Sequence, residues 1–349
     1  VTTTVNIQGR PIGPGCPAYV VAEVSANHNH DLQRAETLIR AAKQAGADAV
    51  KIQTYTPDTL TIDCDNAFFR IKGTLWEGRT LYDLYAEAFT PWAWHEGLKR
   101  LADDIGITLF STPFDASAVD FLEDLGVPAH KVASFELVDL PLLRKIAATG
   151  KPVIASTGMA TLAEIDEAVA TLRRGGCREL ALLKCVSAYP APAKDMNLRT
   201  IPHLAQAFGV PAGLSDHTLG LAAPVAAVAL GAAVIEKHFC LSRADGGPDA
   251  AFSLVPEELA AMVRAVREAE AALGGVCYAL TEKEHESRVF RRSLFVVREM
   301  RAGETFTPEN VRSIRPGMGL HTRYLDEILG RRARADIARG TPLSFALVE

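Results

Sequence analysis

The chain has 349 residues, 48% hydrophobic and 23% charged, with a formal net charge of −5, a composition that supports one large core plus a small second domain and gives no sign of disorder. No apolar run approaches the ~20 residues of a membrane span, and the start, Val-Thr-Thr-Thr-Val-Asn, has neither the basic nor the apolar region of a signal peptide, so a cytoplasmic location is expected, with no membrane or nucleic-acid partner. The cysteines at 16, 64, 177, 185, 240 and 277 are scattered without a Cys-x-x-Cys, which argues against a disulfide framework and a thiolate zinc site and predicts that they are reduced.

Short β-branched runs alternate with alanine-rich amphipathic stretches eight times before residue 280. The predicted strands are 19–26, 49–55, 107–112, 130–135, 152–156, 180–187, 211–215 and 233–238. Between them lie helical patterns such as Leu32-Ala35-Leu38-Ile39-Ala42, ending at Gly46, and Leu162-Ile165-Val169-Leu172, ending at Gly175. Eight βα units predict a (β/α)8 barrel over residues 1–280 rather than an open doubly wound sheet, and no Gly-x-Gly-x-x-Gly follows the first strand. Residues 281–289 are highly charged and read as a linker. Residues 290–349 hold short strand-like runs separated by glycine turns, a β-rich domain whose core is marginal alone. That tail carries eleven arginines, no lysine and seven carboxylates, +4 against −9 for the rest. Arginine alone suits recognition of carboxylate, phosphate or polar oxygens, although a solvated surface accounts for most of the eleven.

In such a barrel the chemistry sits where strands end at their C-terminal side, and polar residues crowd those positions. Strand one offers Glu23, Ser25, Asn27 and His28; strand two Lys51 and Gln53; strand three Ser111 and Thr112; strand four Lys131, Ser134 and Glu136. The later strands add Ser156 and Thr157, Ser187 and Tyr189, Ser215, Asp216 and His217, then Glu236 and His238. Buried charge on this scale is costly unless paired or bound to a ligand, and two lysines among hydroxyls suit an anion carrying phosphate and carboxylate. His217 and His238 close successive strands. Either one alone reads as a hydrogen-bonded strand end; together, each with a carboxylate one or two residues before it (Asp216, Glu236), they point to a divalent metal. His30, His95, His130 and His203 read as surface or packing residues, and the tryptophans at 76, 92 and 94 as fillers beneath a long loop rather than ligand contacts.

These residues resemble the sialic acid synthases, which condense phosphoenolpyruvate with an N-acetylated amino sugar, over nearly the whole chain. The motifs are Ala22-Glu-Val-Ser-Ala-Asn-His28, Lys51-Ile-Gln-Thr54, Ser111-Thr-Pro-Phe114, Ser156-Thr-Gly-Met159, Gly213-Leu-Ser-Asp-His-Thr218, Gly247-Pro-Asp249 and Ile314-Arg-Pro-Gly317. The tail is similar to the family's antifreeze-like (SAF) domain, which in relatives swaps across a homodimer and lends an arginine, here Arg315, to the partner's barrel. Within the family, Ile52 to Thr61, Ile71 to Trp76, Leu81 to Tyr85, Lys131 to Glu136 and Gly317 to His321 look most like the pseudaminic acid branch. In the N-acetylneuraminic and legionaminic branch, glycine usually stands at the position of Phe135 and asparagine at that of Ser187. The chain also departs from the family at Asn29-His30, where a glycine commonly follows Asn-His by one residue.

The resemblance implies that His217 and His238 hold a divalent metal ion, manganese or magnesium, and that Glu23, Glu136 and Glu236 are catalytic. It implies that Lys51, Lys131, Ser156, Ser187 and Ser215 hold phosphoenolpyruvate, and that Tyr189, Asp249 and Arg315 meet the sugar. The sugar implied is 2,4-diacetamido-2,4,6-trideoxy-L-altrose, with the precursors of N-acetylneuraminic or legionaminic acid as alternatives, and Phe135 is expected to wall the site near the sugar's methyl group. Two remoter readings are a Schiff-base aldolase using Lys184, against which side-chain alternation weighs because Lys184 points outward if Ser187 points inward, and a non-catalytic carbohydrate-binding module.

Overall fold

A computed structural model describes residues 4–349. The chain divides into two compact units, one ending at Gly274 and one spanning Gly275–Glu349. The first opens with a hairpin of β1 (Val5–Ile7) and β2 (Arg10–Ile12), followed by eight parallel strands: β3 (Tyr19–Glu23), β4 (Ala49–Thr54), β5 (Thr108–Pro113), β6 (His130–Val132), β7 (Val153–Ser156), β8 (Leu180–Cys185), β9 (Ala212–Asp216) and β10 (Val234–His238). They pair in chain order and β10 returns to β3, closing the predicted (β/α)8 barrel.

Alternation along each strand sorts the side chains onto two faces. Outward residues such as Val20, Ala22, Val50, Ile52, Leu182 and Leu214 pack under the helices. Inward residues near the strand starts, Tyr19, Val21, Phe110, Ile154, Leu183 and Val234, form a second apolar cluster into which Val5, Ile7 and Ile12 of the hairpin insert. The floor is therefore closed by carbon, and the polar residues lie at the other end. Helices start and stop where their sequences direct. Asp31 accepts from the backbone N–H of Gln33 and Arg34 ahead of Leu32–Gln44, Thr161 and Glu164 form a capping box ahead of Leu162–Arg174, and left-handed Gly106 ends Trp92–Ile105. No helix among the described residues is long and apolar enough to cross a membrane, and all six cysteines are free.

Three strands end two or three residues earlier than expected, among them β3, which stops at Glu23, before Ser25. β6 stops at Val132, and the backbone then turns, Glu136 N donating to Ala133 O at 3.2 Å, so Ser134, Phe135 and Glu136 sit on a loop; β8 likewise stops at Cys185, before Ser187. The first βα loop explains the unusual Asn29-His30. Both residues have left-handed backbone, φ 49° and 54°, a conformation that glycine adopts without strain and asparagine tolerates. His30 is held there by ring contacts with Phe89 and Trp94, 4.8 and 6.3 Å between centroids.

In the second unit β11 (Ser293–Val296) pairs antiparallel with β12 (Val311–Ile314), and isolated bridges join further segments around a core of Leu294, Val296, Phe306, Ile328 and Leu343. The stretch read as a linker contains a helix, Glu282–Ser287, capped by Thr281 with Glu284. A capping box supplies local order that charge content alone does not reveal.

Candidate active site

A cavity of about 420 Å3 opens at the C-terminal end of the barrel strands. Glu23, Lys51, Lys131, Glu136, Ser156, Tyr189, Ser215, His217, Glu236, His238 and Asp249 all line it. Of the residues expected to act together, Ser187 and Arg315 stand apart. Ser187 lies just beyond the lining, its Oγ buried without a hydrogen-bond partner, next to Gly158. Arg315 is an exposed residue of the second unit.

Lys51 sits between two carboxylates, 2.9 Å from Glu236 Oε1 and 3.3 Å from Glu23 Oε2. Burial works against its ammonium, but the two carboxylates more than offset this and raise its pKa. Ser215 Oγ donates to Glu236 Oε1 at 3.1 Å. Burial would push Glu236 up, yet Lys131 and Lys51 bring it below the ordinary glutamate value. Glu23, fully buried and facing the Glu236 charge, is pushed up to about 7 despite Lys51 and a bond from Gln53. Glu136, whose Oε2 is buried and unpartnered, is likewise pushed by burial to about 7. The site thus pairs one firmly ionised carboxylate with two poised to exchange a proton near neutrality. Lys131 donates to Ser156 Oγ at 2.7 Å and to Val132 O at 2.8 Å, and burial lowers its pKa to about 8.

The rings of His217 and His238 are 5.3 Å apart between centroids. His217 Nδ1 lies 2.9 Å from Val186 O; a carbonyl can only accept, so Nδ1 carries a proton and Nε2 is the nitrogen left to face a metal. Burial works against the charged ring, but Cys185, the Val186 carbonyl and Glu236 raise its pKa. His238 Nδ1 is buried without a hydrogen bond, 3.9 Å from Asp249 Oδ2. Burial, and then the positive fields of His217 and Lys51, hold its pKa well below the ordinary value, keeping the ring neutral. A divalent cation needs neutral imidazoles with free nitrogens; His238 is already in that form, and His217 offers Nε2 once that atom gives up its proton. Among the described residues no group of three or more His, Cys, Asp or Glu forms a ready-made cage, so a cation here would complete its shell with substrate or water.

The NeuB family model matches residues 38–278, and the SAF domain model matches 291–349. The chain belongs to the NeuB family. Relatives include the pseudaminic acid synthase of Helicobacter pylori, 45% identical over 95% of this chain and 98% of that protein, and the pseudaminic acid synthase of a Campylobacter jejuni strain, 48% identical over 93% and 95%. Among solved structures, the N-acetylneuraminic acid (sialic acid) synthetase of Leptospira borgpetersenii superposes with a TM-score of 0.73 at 31% identity, covering 82% of this chain and 95% of that one. As a NeuB-family member with relatives named as nonulosonic acid synthases, the chain is an enzyme of the phosphoenolpyruvate-dependent transferase class, and synthases of this family are in general metal-dependent.

The geometry corrects several expectations. Asp216 is not at the NeuB site: it points to the helix side, paired with Lys237 at 2.6 Å and accepting from Thr218 N at 2.9 Å. Lys184 is also outward, donating to Cys185 O at 3.0 Å and absent from the cavity lining, which removes the Schiff-base reading. Trp92 and Trp94 do fill space, Trp92 stacked on Phe121 and Trp94 against His28, but Trp76 lines the cavity. Other lining residues received no role from the sequence: Gln53, which donates to Glu23 at 2.9 Å and Ser25 at 2.8 Å; Ser25, which donates to Asp249; and Cys185, 3.9 Å from His217 Nδ1. Gln53 and Ser25 stand among the polar strand ends of the sequence without a role; strand alternation would also have found Cys185, two residues from inward-pointing Leu183.

Proposed function

We propose that the chain condenses phosphoenolpyruvate with 2,4-diacetamido-2,4,6-trideoxy-L-altrose to give pseudaminic acid and inorganic phosphate. The observation that carries this is the buried cluster of Lys51, Lys131, Glu23 and Glu236 with half-buried Glu136 beside it, next to the imidazoles of His217 and His238, in a member of a family whose relatives bear that product's name.

Lys51 and Lys131, with the hydroxyls of Ser156, Ser187 and Ser215, hold the phosphate and carboxylate of phosphoenolpyruvate by charge-assisted hydrogen bonds. Tyr189 and Asp249 orient the open-chain sugar. A divalent cation, manganese or magnesium, held by His217 and His238 would supply Lewis-acid polarisation of the aldehyde. The enol carbon attacks the carbonyl carbon, the former carbonyl oxygen takes a proton, and positive charge develops at C2 of the phosphoenolpyruvate unit. The carboxylates of Glu23 and Glu136 stabilise that charge. Water then adds at C2, and Glu136 accepts its proton; Glu236, held ionised by Lys51, Lys131 and Ser215, is the weaker base. The C2 hydroxyl then gives up its proton and its oxygen forms the product's ketone as the C2–O bond to phosphate breaks, the bonding electrons and that proton leaving with inorganic phosphate. The reading extends to a domain-swapped homodimer in which Arg315 serves the barrel of a second copy, to a cytoplasmic location, and to domain limits at residues 280 and 290.

Phosphate release from phosphoenolpyruvate should be fastest with the L-altrose sugar. Equal or faster release with the precursors of N-acetylneuraminic or legionaminic acid would reassign the substrate, and none with any of them would remove the reading.

A further inference from the structure

Between the helices Pro57–Leu60 and Leu81–Ala88 the chain makes a long excursion that folds back on itself. Ile71 N donates to Arg79 O at 2.9 Å, Gly78 N to Ile71 O at 3.1 Å, and Leu81 N to Phe69 O at 2.8 Å, while Arg70 bridges antiparallel to Thr80. Trp76 occupies the turn of this hairpin, where Glu77 N reaches Thr74 O at 3.2 Å. Its indole N–H donates to Pro248 O at 3.0 Å. That bond joins the loop after β4 to the loop after β10, two strands away round the barrel. The indole centroid is 5.8 Å from the Tyr189 ring, which is itself 4.4 Å from the His217 ring. Pro248 immediately precedes Asp249. The indole therefore lies beside Tyr189 and is bonded to the residue next to Asp249, two of the residues assigned to the sugar, on the imidazole side of the cavity.

The hairpin and the helix after it contribute Ile71, Thr74, Trp76, Leu81, Leu84 and Tyr85 to the cavity wall, and none is charged. Phosphoenolpyruvate, an anion, has no use for such a wall, and its cations, Lys51 and Lys131, come from β4 and β6. The proposed sugar carries three methyl groups, two on acetamides and one at C6, and these suit an apolar, aromatic surface.

We infer that Trp76 is a specificity-determining residue of the sugar site: its ring covers a methyl-bearing edge of the amino sugar, and its N–H fixes Pro248 and so the approach of Asp249. The inference rests on the function proposed above. It differs in kind from the expectation for Phe135, which is 60% exposed at the cavity edge and makes no polar tie across it.

The test compares wild type, Trp76→Ala and Trp76→Phe in phosphate-release assays, with the 6-deoxy sugar and with its counterpart bearing a 6-hydroxyl. Trp76→Ala should raise KM for the 6-deoxy sugar and lower the preference for it over the 6-hydroxy sugar by about tenfold, the usual scale for a methyl group in an apolar pocket. Trp76→Phe, which keeps an aromatic face and loses the N–H, should raise that KM by about fivefold, as for one lost hydrogen bond, while keeping most of the preference. KM for phosphoenolpyruvate should stay within about twofold of wild type in both. An unchanged sugar preference in Trp76→Ala, or equal KM increases for the sugar and for phosphoenolpyruvate in Trp76→Phe, would overturn the role of Trp76 while leaving the function intact. Wild-type protein that releases no phosphate with either sugar would overturn both.

Discussion

Gly158→Ala should weaken the chain's hold on phosphoenolpyruvate while leaving the barrel folded. Gly158 follows β7 and lacks the left-handed backbone that would itself forbid a side chain. Space is the constraint. A Cβ placed there would overlap Ser187 Oγ and stand 2.7 Å from Ser134 Oγ. Ser134 Oγ also accepts from Gly158 N at 3.1 Å, and Ser187 Oγ is buried with no partner, as a hydroxyl kept for a ligand would be. Both groups are ends of short, rotatable side chains, so the fold can yield by turning them away, at about 1–3 kcal/mol for the overpacking. A turned hydroxyl no longer reaches the phosphate. One hydrogen bond to a charged group contributes about 1.5–3 kcal/mol, so KM for phosphoenolpyruvate should rise by about 10- to 150-fold. Initial rates with phosphoenolpyruvate varied at saturating sugar measure this, and thermal unfolding measures the stability term. Adding Ser187→Ala should recover part of the stability and none of the affinity. If KM in Gly158→Ala stays within about twofold of wild type, or if Ser187→Ala alone leaves it unchanged, the hydroxyl cradle does not hold the phosphate.

Glu136→Gln tests the proton acceptor. With Glu136 at about 7 in the free protein, kcat/KM should climb as pH rises through 7, because both charge stabilisation and proton acceptance need the carboxylate. The substitution should lower kcat by about 100-fold or more and remove one proton from that limb, leaving the one from Glu23; a profile of unchanged shape would clear Glu136 of the role. The same raised pKa means that the native state keeps a proton which the unfolded chain has already released between its ordinary value of 4.5 and about 7, so stability falls as pH rises across that window. Glu136→Gln should flatten that slope in denaturant titrations. His238→Ala should bind manganese far more weakly in equilibrium dialysis, and chelator treatment should abolish wild-type turnover until metal is restored; full activity of stripped protein would refute the metal assignment.

The barrel and most of the site were legible because both follow from period-two alternation. Once Ser215, His217, Glu236 and His238 are placed on one face, Lys51 and Glu23 follow from the same rule on β4 and β3. The rule fails at loops. Glu136 was found as a strand-end residue although it sits on a turn beyond β6, and Ser187 lies past the end of β8. Trp76 belongs to an excursion with no periodicity, held by backbone bonds such as Ile71 N to Arg79 O and by one indole bond to a residue far along the chain; nothing local in the sequence announces that partner. Asp216 was misread for the opposite reason. Its neighbours in sequence face the cavity, but alternation applied strictly turns it outward.

Asp216 also shows how closely the chemistry depends on register. β9 and β10 carry ion-pairing groups on both faces: Lys237 meets Asp216 on the helix side at 2.6 Å, while Glu236 and Ser215 meet on the cavity side at 3.1 Å, with Glu236 opposite Ser215 and Lys237 opposite Asp216. A shift of one residue along either strand would exchange the faces, placing a lysine where Glu236 holds Lys51 and turning an imidazole away from its partner. Hydrophobic patterning resists this weakly, since the two strands end in polar residues on both sides. Gly213 resists it strongly. A Cβ at that position would overlap Val234 O and come within 2.8 Å of Leu183 Cδ2, so the close approach of β9 to β10 is possible only with the glycine opposite that carbonyl. A backbone position without a side chain, deep in the barrel, thus sets which carboxylate faces the lysines several residues above it.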